Sequence, residues 1–139
     1  MKEITISMPA KINLSIDVKS RLENGYHNVE MIMQAIDLYD TVIVEKTNNR
    51  ITLNCSLPYV PKDQRNIAWK AAEQFFSHCP CKGGARITLK KNIPVEAGLG
   101  GGSSDAAGVL KALNALYDNC LKDIQLFQIA RRLGADVAF

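Results

Sequence analysis

Glycine and serine cluster in one short segment of the sequence, where they could bind an anion. Four of the nine glycines lie between Gly98 and Gly102, and Ser103 and Ser104 follow directly. Glycine costs backbone entropy, so such a cluster needs a reason. A loop without side chains lets backbone N–H groups point at an anion, and a helix that opens at Ser103 or Ser104 adds unpaired donors and a positive dipole end. The segment predicts a phosphate site, with two serine hydroxyls as further ligands for phosphate or Mg²⁺.

Three common nucleotide motifs do not fit this segment. The P-loop pattern requires a lysine after the glycines, and none follows. The dinucleotide pattern requires a third glycine at the position of Ser103, and the sequence motifs of protein kinases are absent. Asp105 places a carboxylate in the first helical turn, so we expect it to point away from the phosphate or to face a metal.

A second group of candidate residues lies near the start of the chain. Apolar residues alternate with polar ones from Ile12 to Val18, which predicts a half-buried strand. Side chains two positions apart in a strand point the same way, so Lys11 and Asn13 are expected to lie side by side.

The remaining periodicity predicts the elements that position these residues. Alternating or continuous apolar runs predict strands over residues 4–8, 12–18, 29–36, 41–45, 51–55 and 86–90. Asn48 and Asn49 between two of these strands predict a hairpin. Apolar residues at helical spacing predict helices over 66–77, from Ser103 or Ser104 to about 117, and over 123–133, the first capped by Asp63 or Asn66. Strands precede helices without βαβ alternation, so we expect an α+β fold with a mixed or antiparallel sheet.

The cysteines do not match a zinc motif. Among Cys55, Cys79, Cys81 and Cys120, only the pair around Pro80 is closely spaced, and a zinc ribbon needs two such pairs. The pattern therefore favours reduced thiols, with Cys55 as a small apolar residue of a strand.

Composition limits the classes of function. The chain has 139 residues, 47% of them hydrophobic and 22% charged, and a net charge of +3. This is the balance of a single globular domain. The charge is too small and dispersed to indicate a nucleic-acid surface. No apolar run predicts a membrane span or a signal peptide, so a cytoplasmic location without membrane partners is expected. Oligomeric state is not predicted.

The glycine segment resembles the phosphate loop of the GHMP small-molecule kinases. The resemblance covers Pro94, the glycines, both serines and Ala106. It implies an N-terminal domain like domain 2 of ribosomal protein S5, built from a mixed or antiparallel sheet and helices.

Three further segments resemble the GHMP kinases that act on 4-diphosphocytidyl-2-C-methyl-D-erythritol. They are Pro9–Leu14, Asn24–His27 and Gly134–Val137. With the glycine loop they give four motifs in the family's order across the chain. The resemblance implies transfer of the γ-phosphoryl of ATP, with Mg²⁺, to the 2-hydroxyl of this cytidine-linked alcohol in non-mevalonate isoprenoid precursor synthesis.

The resemblance also implies roles for individual residues. Asp136 matches the catalytic base, and Lys11 matches the lysine that pairs with it. Asn13 matches a residue near the methylerythritol, and Tyr26 and His27 match residues that hold the cytosine. ATP-binding positions match Asn66, Lys91, Pro94, Gly98, Leu99, Gly100, Gly101, Gly102, Ser103 and Ser104. Two positions depart from the pattern, because Asn24 replaces an aspartate and Ala138 replaces a proline.

The family has a C-terminal domain, and the sequence stops at Phe139 just after the matched aspartate. We therefore expect residues 1–139 to be a truncated N-terminal, ATP-binding domain with little activity alone. Two alternatives stay open. One is a GHMP kinase for another small alcohol such as mevalonate or homoserine, and the other is a non-catalytic fragment that binds nucleotide or RNA.

Overall fold

One mixed sheet and the helices that cover it make up the described chain. A computed structural model describes residues 2–21, 27–95, 99–134 and 137–138. These residues form β1 (Glu3–Arg21), β2 (His27–Thr47), β3 (Ile51–Cys55), α1 (Ile67–His78), β4 (Gly84–Lys90), α2 (Gly101–Leu116) and α3 (Asp123–Leu133). The strand order is β1-β2-β4-β3, with only β3 and β4 parallel. The expected α+β class is confirmed.

The first two strands are longer than the apolar patterns predict. Pro9 interrupts the alternation in sequence but not β1, because the β1–β2 register shifts between Pro9 and Ala10. Such an irregularity lets a residue without an N–H stay inside a strand. The segments predicted as separate strands over 29–36 and 41–45 are both parts of β2.

The predicted hairpin at Asn48 and Asn49 is wrong. In the described sheet β4 lies between β2 and β3, pairing antiparallel with β2 and parallel with β3. A parallel pair needs a crossover connection, which α1 supplies. Alternating apolar residues identify a strand but do not show which strand it pairs with. The hairpin was predicted because the two strands are neighbours in sequence.

The helices cover the sheet through the apolar stripes that predicted them. Asn66 caps α1, its side-chain oxygen accepting the N–H of Ala68 at 2.9 Å. α2 packs against β1 and β2, α1 packs against α2 and β3, and α3 packs against α1. The fully buried side chains at the centre include Val42, Val44, Phe75, Ile87, Val109 and Leu113. Among the described residues no helix has both the length and the apolar character to cross a membrane.

A disulfide joins the ends of α1 and α2, which corrects the expectation of reduced thiols. Cys79 follows α1 directly, and Cys120 lies beyond the turn that follows α2. Asp118 and Asn119 adopt positive φ values of 59° and 55° in that turn, which folds the chain back. The two cysteines are 41 positions apart, so no local motif could have paired them.

Candidate functional site

The glycine loop leads into α2 two or three residues earlier than predicted. Gly100 precedes the helix with φ of 69°, a left-handed conformation that favours glycine, and the helix begins at Gly101. A Cβ on Gly101 would lie 3.0 Å from Cγ2 of Ile93, so a larger residue here would require Ile93 to shift. The prediction of a serine start failed because close packing overrides the low helix propensity of glycine.

Backbone donors gather at this helix start. The first helical hydrogen bond runs from the N–H of Ser104 to the carbonyl of Gly100, at 2.9 Å. The N–H groups of Gly101, Gly102 and Ser103 precede that bond and have no acceptor within the helix. They lie at the positive end of the helix dipole, so the arrangement can bind an anion.

Strand β1 holds the glycine loop through hydrogen bonds on either side of Gly100. The backbone N–H of Lys11 donates to the carbonyl of Leu99 at 2.7 Å. The hydroxyl of Ser104 donates to the carbonyl of Pro9, also at 2.7 Å. Ser104 is buried, so its hydroxyl faces the strand rather than the expected phosphate or Mg²⁺. Ser103 is half-buried, so it remains the serine whose hydroxyl can serve the expected phosphate or Mg²⁺.

A cavity of about 330 Å³ lies in front of the helix start. It contains most of the positions matched to ATP binding, including Asn66 from the start of α1. Its walls are formed by Val60, Asn66, Ile67, Leu89, Lys91, Pro94, Val95, Leu99, Gly100, Gly102, Ser103 and Asp105. Gly101 and Ser104 are not among the lining residues, and both are buried. Both α1 and α2 therefore begin at this cavity.

A buried ion network underlies the cavity. The ammonium nitrogen of Lys91 lies 2.6 Å from Oδ2 of Asp40 and 2.7 Å from Oδ2 of Asp105. The other oxygen of Asp40 accepts the backbone N–H groups of Asn92 and Ile93 at 2.7 and 2.8 Å. Oδ1 of Asp105 is buried without a partner among the described residues. Lys91 thus binds carboxylates at the start of the segment that leads to the glycine loop, whereas its match had implied contact with ATP.

The protonation states follow from burial and close contacts. Burial raises the pKa of Asp105 to about 8, although the charge of Lys91 opposes that shift. Burial also acts to raise the pKa of Asp40, but hydrogen bonds from Asp105, backbone N–H groups and Lys91 outweigh it and lower that pKa. The pKa of Lys91 is raised, because the two carboxylates outweigh the effect of burial. Near neutral pH the network therefore holds one ammonium, one carboxylate and one protonated carboxyl.

Sequence reasoning missed Asp40. Asp40 and Lys91 are 51 positions apart, and no local pattern marks the aspartate as a partner. Asp105 contacts Lys91 and also lines the cavity, so the expectation that it points away from the phosphate or faces a metal stays a prediction.

Lys11 lies between the first cavity and a second one. It is 6% exposed, and its Cβ lies beside Gly100. The second cavity, of about 210 Å³, contains Lys11, Ser104, Val137 and Ala138 in its lining. β1 therefore places one lysine beside the glycine loop and beside the residues that follow Asp136 in sequence.

Several predicted site residues lie outside the described part of the chain. Tyr26, Gly98 and Asp136 are not described, and Asn13 and His27 are described only as backbone of β1 and β2. Their assigned roles stay predictions.

The chain resembles curated relatives along nearly its whole length. It is 52% identical over 130 residues to a 4-diphosphocytidyl-2-C-methyl-D-erythritol kinase of Clostridium beijerinckii, covering 94% of this chain and 46% of that protein. It is 50% identical to a kinase of the same name from Clostridium botulinum, covering 98% of this chain and 49% of that protein. The chain thus spans about half the length of the curated relatives it matches.

Solved structures show the same architecture. A crystal structure of 4-(cytidine 5'-diphospho)-2C-methyl-D-erythritol kinase is 43% identical, with a TM-score of 0.80 over 98% of this chain and 48% of that one. A homoserine kinase from Cytophaga hutchinsonii, 22% identical with a TM-score of 0.72, covers 96% of this chain and 41% of its own, and shares the fold.

A family model supplies the assignment. The model for the GHMP kinases N terminal domain matches residues 66–139, more than half of the chain. The matched range includes the cap of α1, Lys91, the glycine loop and all of α2. On this match, the chain belongs to the GHMP kinases.

Proposed function

We propose that the protein transfers the γ-phosphoryl of ATP to the 2-hydroxyl of 4-diphosphocytidyl-2-C-methyl-D-erythritol. The substrate assignment rests on the relatives of 52% and 50% sequence identity, whose names include this alcohol. The observation that carries the reaction class is the glycine loop at the start of α2, with Asn66 and Lys91 in one cavity and Lys11 beside it. Because those relatives are about twice as long, we expect turnover to need both halves of such a protein.

The cavity in front of α2 is the proposed nucleotide site. The phosphates would accept the N–H groups at Gly101, Gly102 and Ser103, where an anion is favoured. Pro94, Leu99 and Asn66 would line the remainder of the nucleotide, with Gly98 continuing the loop. Ser104 and Lys91 would position this site from behind, because hydrogen bonds and ion pairs occupy their polar groups.

The acceptor hydroxyl is proposed to react on the side of Lys11. Asp136 would take up the hydroxyl proton as the oxygen attacks phosphorus. The Lys11 ammonium would keep that carboxylate ionised and offset charge on the transferring phosphoryl. Asn13 would contact the methylerythritol, and Tyr26 and His27 would hold the cytosine, the tyrosine by stacking. Such positioning and electrostatics supply most of the catalysis in phosphoryl transfer.

Few oxygens of the described residues are free to bind Mg²⁺. Oδ2 of Asp40 and Oδ2 of Asp105 bind Lys91, and the hydroxyl of Ser104 binds Pro9, which leaves Oδ1 of Asp105 as a single carboxyl oxygen without a partner. Mg²⁺ in kinases commonly keeps its waters and binds substrate phosphates. We therefore assign the ion to ATP itself. Because ATP and the alcohol are charged metabolites, the proposal also places the protein in the cytoplasm.

Nucleotide binding can be tested with the 139-residue chain by calorimetry. We expect ATP to bind and Gly102→Asp to weaken it at least about tenfold, because the new carboxylate repels the phosphates. A side chain fits there, since a Cβ would be 3.8 Å from Ile67. Ala115→Asp, on an exposed position of the same helix, is the control and should bind as the parent does. Equal affinity in both variants would reject the nucleotide site.

Turnover can be tested with the protein encoded by the whole reading frame that contains these residues. We expect Asp136→Asn to lower turnover by about 10²–10⁴-fold, the usual contribution of a positioned base. Asp37→Asn, an exposed site on β2, is the control. Unchanged turnover in Asp136→Asn would reject the assigned base.

The same assay separates the substrates. Cytidine-linked methylerythritol, mevalonate and homoserine are offered with ATP. We expect phosphorylation of the first alone, and preference for either of the others would replace the substrate while leaving the kinase class intact.

A further inference from the structure

A group of cysteines lies away from the nucleotide cavity, where α1 and α2 end. Cys79, Cys81 and Cys120 bring their sulfur atoms within 4.8 Å of one another. Cys79 forms the disulfide with Cys120, and the sulfur of Cys81 lies 2.6 Å from that of Cys79. A disulfide needs two sulfur atoms, and this cluster holds a third in contact with them.

The backbone fixes two of the three cysteines. The N–H of Cys79 donates to the carbonyl of Phe75 at 2.9 Å, at the end of α1. The N–H of Cys120 donates to the carbonyl of Tyr117 at 3.2 Å, in the turn after α2. Because these bonds do not involve sulfur, they can hold both residues in place when the disulfide is reduced.

The cluster of cysteines is buried on one side and partly open on the other, so an ion could enter it from solvent. Cys79 is 6% exposed, whereas Cys81 and Cys120 are half-buried. The apolar side holds the ion away from water, and the half-open side gives it an entry path. The fourth cysteine, Cys55, lies in β3 outside this cluster.

We propose that Cys79, Cys81 and Cys120, once reduced, form a binding site for a thiophilic d¹⁰ cation, Zn²⁺ or Cu⁺. Thiolates select these ions over harder ones. Zinc–sulfur bonds of about 2.3 Å place two thiolates of a tetrahedral site about 3.8 Å apart. All three sulfurs already lie within 4.8 Å of one another, so after reduction the sulfur of Cys79 has to move away from its two neighbours by little more than about 1 Å to reach that spacing. Zn²⁺ would take a water or an added thiol as fourth ligand, because the ring nitrogens of neighbouring His78 contact Gln74 and Arg132.

Reduction precedes binding. A phosphine attacks one sulfur of the Cys79–Cys120 disulfide, the S–S bond breaks, and water supplies two protons to the sulfurs and one oxygen to phosphorus. The disulfide gains two electrons and becomes two thiols, and the phosphine becomes its oxide. Metal binding then displaces the thiol protons to solvent.

The test uses the 139-residue chain reduced with a phosphine and held without oxygen. Zn²⁺ is added in one arm and Cu⁺ in the other, against a chromophoric chelator. We expect one equivalent of at least one ion per chain, and the arm with the higher affinity identifies it. Cys81→Ser should lower that affinity at least tenfold, whereas Cys55→Ser should leave it unchanged.

Alkylation gives a readout that does not depend on the variants. Without metal, iodoacetamide should label all four cysteines of the reduced chain. With metal, mass spectrometry should find Cys55 labelled and the other three protected. The proposal is overturned if neither ion binds at one equivalent, if Cys81→Ser binds as tightly as the parent, or if metal protects none of the three.

Discussion

The beginnings and the ends of α1 and α2 differ in how their polar groups are paired. At the beginnings, donors of Gly101 and Gly102 lack acceptors in the helix, and the side chains of Lys91 and Asp105 are buried ionisable groups. At the ends, polar groups are paired: the hydroxyl of Tyr117 donates to the carbonyl of Gly84 at 2.8 Å, and a disulfide links the two helices. The difference indicates that one end keeps backbone donors available for a ligand, whereas the polar groups at the other end are satisfied within the protein.

At the cavity end, substitution of Lys91 is expected to give the largest change in the free energy of unfolding. Lys91→Met leaves the buried carboxylate of Asp40 and the carboxyl of Asp105 without their cation, and we expect a loss of about 3–5 kcal/mol in the free energy of unfolding. Urea unfolding at neutral pH measures it, and Lys90→Met, at the exposed neighbouring position, is the control. A loss similar to that of the control would show that the ion network does not hold the cavity end together.

The helix ends are tested by removing the cross-link. Cys120→Ser opens the disulfide, which should cost about 2–4 kcal/mol without reductant or metal. ATP affinity at the far end should stay within twofold, because no cavity residue contacts the cluster. Cys55→Ser is the control for loss of a thiol. A parallel fall in ATP affinity would show that the two ends are coupled.

Two glycines at the cavity end should respond to substitution in opposite ways, because their backbone conformations differ. Gly100→Ala forces a side chain into the left-handed region at φ 69°, and we expect a loss of about 1–2 kcal/mol. Gly102→Ala has helical backbone and open space, so stability should rise by up to about 1 kcal/mol. Urea unfolding of both variants measures the difference. Equal losses would remove the conformational reason for glycine at position 100.

The smallest expected effect is a change in pH dependence. Because burial raises the pKa of Asp105 from 3.8 to about 8, the folded chain keeps a proton there that the unfolded chain releases. The contribution of Asp105 to stability is therefore present at low pH and is lost as pH rises through this window. Asp105→Asn should change stability by about 1 kcal/mol or less near pH 4, since an amide can hydrogen-bond both neighbours, and it should be increasingly favoured over the parent as pH rises from there. Unfolding measured across the window should fall less steeply with pH than in the parent, and an unchanged slope would contradict the assignment.

Local patterns predicted the local features of this protein. The apolar stripes identified α1, α2 and α3, and of the two predicted caps of α1, Asp63 and Asn66, the structure contains Asn66. The glycine loop was located from composition alone, because few other structures need four glycines in five residues.

The features that failed depend on contacts between distant parts of the chain. The partner of β3 is β4, which the sequence places after a helix. The hydroxyl of Ser104 donates a hydrogen bond to the carbonyl of Pro9, and the ammonium of Lys91 binds the carboxylate of Asp40. The pairing of Cys79 with Cys120 also requires the fold. Spacing along the chain describes which faces are apolar, but it does not reveal which polar groups become each other's partners.

The ion network has a consequence for how the cavity attracts a polyanion. Near neutral pH the charges of Lys91 and Asp40 cancel and Asp105 is protonated, so the network adds no net positive charge behind the cavity. Attraction to phosphate at this wall would then come from short-range backbone dipoles instead of mobile side-chain charge. Dipoles in direct contact are screened less by dissolved ions than separated surface charges are. ATP affinity should therefore depend only weakly on ionic strength.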